Sequence, residues 1–217
     1  MSLVSTGVHA TIVIVLGSLC GAVPAFAGFC NALAAQEPRH EFQFLGGYSP
    51  GSSTLIGTTE HRRFVEAGFA YSYRCWAAGG LGISYTGTLL PVAIVLQPPH
   101  TIVRQTMTRD VPAHAVFGVS ALPLGFTFDA APEARVHVFA ETHGGIIAST
   151  EPVPIDDTDA TGLNFLFDFG GGIRWRLNER HAVRLGYRFA HVSNGSTTRF
   201  NPGLDNNVLY IGFSFLR

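Results

Sequence analysis

The sequence predicts an all-β protein, an eight-stranded antiparallel transmembrane β-barrel of the outer-membrane type. Three observations carry that prediction. Apolar residues make up 47% of the 217-residue chain and charged residues only 13%, yet no apolar stretch beyond residue 37 is long enough for a spanning helix. Apolar and polar residues alternate with period 2 in segment after segment, as on strands with one apolar face. The connections between segments alternate between short turns and long polar loops, the pattern of a barrel with short periplasmic turns and long external loops. A closed barrel is the one sheet that spans lipid, since an open edge would leave N–H and C=O groups unpaired.

The chain opens with a leader. No charged residue precedes Glu37, Ala10 to Leu16 is strongly apolar, and Ala25-Phe26-Ala27 and Ala32-Leu33-Ala34 follow as cleavage sequences. An apolar core followed by Ala-x-Ala predicts a secretory signal peptide over residues 1–35, cleaved after about residue 27 or 35, although its n-region has only His9. An anchoring helix is disfavoured by Gly17, Gly21 and Pro24, which interrupt an already short run. Residues 36–217 then form a single barrel.

Eight alternating segments follow, at approximately 40–48, 62–73, 80–96, 113–127, 134–147, 163–177, 181–193 and 206–216. In the sixth, Phe165, Phe167, Phe169, Ile173 and Trp175 share one face while Asn164, Asp168, Arg174 and Arg176 share the other. In the seventh, Val183, Leu185, Tyr187 and Phe189 oppose Arg184, Gly186 and Arg188; in the eighth, Leu209, Ile211, Phe213 and Phe215 oppose Tyr210, Gly212 and Ser214. Short turns fall around Trp76, Pro132 and Asn178-Glu179, so both ends of the barrel chain lie on the short-turn side. Trp76 and Trp175 near that end suit an interfacial aromatic girdle.

The polar face carries Glu41, Glu66, His137, Glu141, Asp168, Arg174, Arg176, Arg184 and Arg188. A soluble lipocalin-like barrel would turn its apolar face inward; here the charges face in, and a barrel of about eight strands has room for side chains but no open channel. A mutually neutralised plug is expected, because buried charges must pair. His143 near Glu141 is assigned to the same plug, out of reach of a bulky lipid. A β-sandwich would alternate equally well, and periodicity leaves it open.

A formal net charge of −1 lacks the basic excess of a nucleic-acid binder, and three scattered cysteines make neither a disulfide scaffold nor a zinc site. The chemistry concentrates in Arg188 to Asn207. His191 and Ser193 are two apart and so share a face, continuous with Val183, Leu185, Tyr187 and Phe189 on the lipid side. Counting back from Phe215 along the last strand puts Asn207 and Asp205 on the outward face too, and an antiparallel seventh–eighth pair brings Asp205 beside His191 at the outer rim. A serine, an imidazole and a carboxylate so placed suit nucleophilic attack on a carbonyl: the imidazole takes the hydroxyl proton and the acid orients the ring. The Asn194 side chain and the Gly195 backbone N–H are candidate oxyanion donors. Taken alone, a Ser–His pair at this spacing is as readily a polar rim capping a strand; its position at the end of a lipid-facing aromatic stripe favours chemistry on an outer-leaflet ester.

The run His191-x-Ser193-Asn194 followed by Asn201-Pro202-Gly203 and a final alternating strand resembles the outer-membrane lipid A 3-O-deacylases, the PagL-like acyloxyacyl hydrolases. Glu141-x-x-x-Gly145, Phe165-x-Phe167-x-x-Gly170-Gly171-Gly172-Ile173-Arg174-Trp175 and Gly186-Tyr187-Arg188 extend the resemblance over roughly the last 85 residues. The resemblance implies an eight-stranded barrel in the bacterial outer membrane that hydrolyses the ester-linked acyl chain at position 3 of lipid A, with its site at the outer-leaflet rim. It further implies Ser193 as nucleophile, His191 as base and, twelve positions after the serine, Asp205 as the acid, where the best-known members have Glu. Asp is one methylene shorter, and retuned or reduced activity is the expectation. Arg199, Arg104 and Arg109 lie in outer loops, where guanidinium groups hold lipid phosphates or are simply solvated. Asp156-Asp157-Thr158-Asp159 lacks the spacing of a calcium loop and reads as a solvated turn. No metal or organic cofactor is implied; the partners are lipopolysaccharide and outer-membrane lipids. The rival functions are a non-catalytic structural or adhesion barrel with a decayed triad, and an esterase acting on another outer-leaflet lipid.

Overall fold

Two glycines with left-handed backbone, Gly79 (φ 60°) and Gly80 (φ 79°), close a two-residue turn. A two-residue hairpin loop with both φ values positive matches the right-handed twist of its flanking strands, and glycine adopts it without strain. In a computed structural model of the protein, which describes residues 40–104, 107–155 and 159–217, this turn joins two of eight long strands. The strands are β1 (His40–Ser49), β3 (Arg63–Ala78), β4 (Leu81–Gln97), β7 (His114–Ala130), β8 (Val136–Val153), β9 (Thr161–Arg176), β10 (His181–Ser193) and β11 (Gly203–Leu216). Three short strands, β2 (Ser52–Ser53), β5 (His100–Arg104) and β6 (Met107–Val111), lie in the long loops. The leader expected over residues 1–35 lies outside the described residues.

Every long strand pairs antiparallel with its neighbour in sequence, and β1 pairs with β11 from Glu41↔Leu216 to Tyr48↔Leu209, closing the barrel. The closed antiparallel barrel is therefore the observed fold. The strand boundaries correct the sequence-based ones at several points. Trp76 sits within β3, and the turn falls three residues later; β7 and β8 run past their expected ends. The loop after β4 is not wholly irregular, since β5 and β6 pair there as a separate two-stranded hairpin.

The outward face is apolar from end to end: Phe42, Phe44, Phe69, Phe117, Val138, Phe165, Phe167, Ile173, Leu185, Leu209 and Ile211 are all exposed to the barrel's surroundings. Such a face is stable against acyl chains, whereas exposure to water would cost about 25 cal/mol for each Å² of it.

The interior has two tiers. Toward the short-turn end lies the expected ionic plug. Arg174 and Arg184 reach Glu41 Oε2 at 2.8 and 3.0 Å, Arg188 pairs with Glu66 and stands 3.6 Å from both Glu141 and Asp168, and Tyr210 donates to Glu141 at 2.7 Å. His143 bonds Asp168 at 2.7 Å rather than Glu141, and Arg176, more exposed than the rest, lies at the mouth beside Glu133. Asp129, bonded to His137, joins the network through Arg174 at 3.9 Å, and Arg74 lies beside Asp129 and Glu133. A cavity of about 850 Å³ opens at this end, lined by His40, Glu41, Arg74, His137, Arg174 and Arg217 among others. Toward the long-loop end the bore is filled instead by Phe64, Leu90, Val95, Val116, Leu122, Ile147, Val192, Leu204 and Val208, none more than 1% exposed except Ile147 at 2%. The rim above which the candidate site sits thus rests on a packed apolar base.

Candidate active site

His191 and Ser193 occupy the last turn of alternation in β10. The β10–β11 register runs without a shift from His181↔Phe215 to Ser193↔Gly203, so the pleat survives as far as Gly203 and His191 stands directly opposite Asp205. Both side chains leave the outer face, and the imidazole Nδ1 lies 2.6 Å from Asp205 Oδ1. A bond of that length to a carboxylate calls for the tautomer with hydrogen on Nδ1, which turns the lone pair of Nε2 away from the acid.

The ring's direction is fixed by a glycine. A Cβ built on Gly203 would meet His191 Cε1 at 2.8 Å and Nε2 at 3.5 Å. The imidazole therefore lies across the backbone of residue 203, and residue 203 is the cross-strand partner of Ser193. Nε2 therefore lies beside residue 203, the cross-strand neighbour of Ser193. Ser193 is 7% exposed, the His191 side chain 15%, and Asp205 wholly enclosed: an acid shielded from water behind a ring that still meets the lipid side.

The acid is held from a part of the chain that sequence reading gave no role. Beyond Tyr48 the pairing of β11 passes from β1 to β2, with Ser53 opposite Asp205 and Ser52 opposite Asn206. The loop then crosses the carboxylate, and the backbone N–H groups of Ile56 and Gly57 donate to Asp205 Oδ2 at 2.6 and 2.8 Å. Thr58 and Thr59 N–H groups donate to the Gly203 carbonyl at 2.9 and 3.2 Å, tying the loop down. One carboxylate oxygen thus serves the loop and the other the imidazole, and the shorter acid reaches its partner.

Asn194 is put to a different use from the one expected. Its side-chain N–H₂ donates to the carbonyls of Asp159 and Phe200, both at 3.1 Å, and lies 2.6 Å from the Thr198 hydroxyl; its Oδ1 accepts from Ser196 N–H at 2.9 Å. With its donors already engaged and 1% exposure, this side chain organises the loop instead of meeting an oxyanion. Gly195 remains beside the serine, in left-handed backbone (φ 64°), its Cα against the Phe165 ring where a Cβ would lie 2.6 Å away. Asn207 accepts from Tyr187 Oη at 2.6 Å and donates toward Ser53, and so forms part of the lipid-facing rim next to His191 and Asp205.

Of the three arginines, only Arg199 belongs to the loop between Ser193 and Asp205, exposed and 5.2 Å over the Phe200 ring. Arg104 and Arg109 lie on the β5–β6 hairpin, which rises from β4 and β7, three strands from β11 one way round and three from β10 the other. The strand order thus roots that hairpin three strands away from β10 and β11, whereas Arg199 lies in the β10–β11 loop itself. Asp156, Asp157 and Thr158 lie outside the described residues, and no cluster of metal-binding side chains occurs among the described ones. The large cavity at the opposite mouth is remote from this chemistry, and a substrate embedded in a membrane approaches a barrel's wall rather than its bore.

The model of the lipid A 3-O-deacylase (PagL) family matches residues 81–214, which take in β4 through nearly all of β11. The chain belongs to the lipid A 3-O-deacylase family. Among solved structures, the outer-membrane enzyme PagL is similar at 14% identity, covering 79% of this chain and 97% of that one with a TM-score of 0.55, a likeness of fold. Neisserial surface protein A is similar at 8% identity over 83% of this chain and 99% of that one, TM-score 0.47. The outer membrane protein OprG from Pseudomonas aeruginosa gives 11%, 83%, 95% and 0.42 for the same measures. No curated protein sequence matches the chain. Membership of the PagL family and the outer-membrane barrel fold agree with the expectation raised by His191-x-Ser193-Asn194 and Asn201-Pro202-Gly203.

Proposed function

We propose that this PagL-family chain is an outer-membrane serine esterase that hydrolyses the ester-linked 3-hydroxyacyl chain at position 3 of lipid A, working at the outer-leaflet rim. The observation that carries the reading is the 2.6 Å bond between His191 Nδ1 and Asp205 Oδ1 on the lipid-facing side, with Ser193 next along the same face. As Ser193 Oγ bonds to the acyl carbon, His191 Nε2 takes its proton, and Asp205 stabilises the imidazolium. The tetrahedral oxyanion is met by the Gly195 N–H. Collapse breaks the bond to the sugar oxygen, which leaves with the proton from His191. Water then attacks the acyl-enzyme, His191 accepting its proton and returning it to Ser193 as the 3-hydroxy fatty acid departs. The exposed Phe165, Phe167, Tyr187 and Leu209 beside the site suit acyl chains lying along the wall, and Arg199 is the guanidinium placed for a phosphate.

Mass spectrometry of lipid A from cells with and without the protein tests the reading. Loss of one 3-hydroxyacyl mass is expected with the protein and not with Ser193→Ala or His191→Asn, while heat-modifiable migration of the barrel stays unchanged in both variants. Identical spectra would instead assign the chain to the non-catalytic barrels, and loss of an acyl group from another lipid would move the substrate.

A further inference from the structure

We propose that the first outer loop is a clamp on the catalytic acid, with the backbone N–H groups of Ile56 and Gly57 as positioning donors, so that this loop is a working part of the triad. The inference rests on the esterase reading of His191, Ser193 and Asp205. An aspartate on a strand has few ways to hold its plane. Asp205 is held at both oxygens: Oδ2 by two amides at 2.6 and 2.8 Å, Oδ1 by the imidazole at 2.6 Å. The two amides come from residues 149 and 148 positions away in sequence, so the geometry exists only when the loop is seated.

Seating depends on Gly57. A Cβ there would lie 2.6 Å from the Gly203 carbonyl oxygen and 3.0 Å from Asp205 Oδ1. The backbone oxygen cannot yield without dragging β11, so the loop must lift. Its φ lies outside the left-handed region, so alanine disturbs the contact and not the local backbone. The apolar side chains do not hold the loop down, for Leu55 and Ile56 are 75% and 61% exposed, and the one side chain of residues 55–58 that ties to β11 is the Thr58 hydroxyl, which accepts from the Gly203 N–H at 3.3 Å. The rest of the attachment is made by peptide groups: those of Ile56 and Gly57 on Asp205, and those of Thr58 and Thr59 on the Gly203 carbonyl beneath the imidazole. The same loop therefore braces both the acid and the residue on which the ring rests.

The test uses the full-length barrel refolded in detergent or liposomes, with lipid A as substrate. Gly57→Ala is expected to lower turnover about 100-fold, the scale of a displacement near 1 Å. On an Asp205→Asn background it should cost at least tenfold less than on the wild type, because the part of the clamp that acts through the carboxylate is already lost. Ile56→Pro, which removes one donor, should behave alike, and Leu55→Ala, which removes only an exposed side chain, should retain wild-type turnover. Equal losses from Gly57→Ala on both backgrounds would overturn the clamp in favour of a general structural role. A second readout needs no turnover: in ¹⁵N-histidine-labelled protein the downfield Nδ1–H resonance of His191, assigned by its loss in His191→Asn, should weaken or move upfield in Gly57→Ala. An unchanged resonance overturns the clamp. If the wild-type protein releases no fatty acid, the esterase reading fails, and the resonance alone decides the clamp.

Discussion

Replacing Asp205 by asparagine removes a charge and, more importantly, an acceptor. The carboxylate accepts on both sides, from His191 Nδ1 at 2.6 Å and from the Ile56 and Gly57 amides at 2.6 and 2.8 Å. A side-chain amide has one acceptor oxygen and one donor nitrogen. Turning the oxygen to the loop satisfies two backbone donors but presents N–H₂ to the imidazole, which must then carry its hydrogen on Nε2, facing the serine. That tautomer cannot accept the Ser193 proton. Turning the amide the other way leaves two peptide N–H groups against a donor, in a position closed to water. The first arrangement keeps more bonds, so the Asp205→Asn variant should lock the ring in the wrong form. The equivalent change in a serine protease costs about 10⁴ in turnover, equal to about 5 kcal/mol of transition-state stabilisation. The assay is release of 3-hydroxy fatty acid from purified lipid A by the refolded variant, followed over time by mass spectrometry. Retention of turnover within about tenfold of wild type would refute the reasoning, since it would mean that the ring needs no acceptor at Nδ1.

Other substitutions probe the same surroundings. Asp205→Glu, the longer acid, enters a site enclosed by Gly57 and the imidazole and should cut turnover about 10- to 100-fold, the cost of displacing one reacting group; turnover above wild type in the same assay would contradict the fit. Gly203→Ala places a methyl 2.8 Å from His191 Cε1 and should lower turnover about 100-fold with the thermal midpoint of heat-modifiable migration unchanged. Asn194→Ala frees the loop joining β10 to β11 from four bonding partners, and limited proteolysis should reveal new cleavage within residues 195–201 alongside lost deacylation. Arg188→Ala strands Glu66 next to Asp168 and Glu141 inside the barrel and should destabilise it by about 3–5 kcal/mol, read as a lower urea midpoint with lipid A chemistry intact in the folded fraction.

Much of this architecture is legible from the residues because a strand's side chains alternate strictly. Phe165, Phe167 and Phe169 against Asn164 and Asp168 tell inside from outside, and counting back from Phe215 places Asp205 opposite His191. What escaped has a physical reason in each case. The apolar upper tier is obscured because β4 carries a register shift between Leu90 and Ala93, after which Ala93 and Val95 take the inward face that Ser84, Thr86, Thr88 and Leu90 hold before it. The ties of Asn194 run to carbonyl oxygens, one of them on the far loop at Asp159, and a carbonyl has no letter of its own in a sequence. The clamp on Asp205 is hidden for the same reason, since any residue but proline brings an N–H; Gly57 was its one visible mark, and a glycine in a loop rich in Ser and Thr attracts no notice. The rooting of the Arg104–Arg109 hairpin three strands from β10 and β11 follows from strand order, which is a property of the closed sheet and not of either arginine.

The two-tiered filling has a consequence for the cell that houses such a protein. With aliphatic side chains wedged across the upper half and an ionic lattice below, neither ions nor small solutes have a path through, and the vestibule at the lower mouth is a blind end. The proposed chemistry is thereby left to the outer wall, and the permeability barrier is expected to stay intact however many copies are inserted. Planar bilayers loaded with the purified barrel should remain electrically silent.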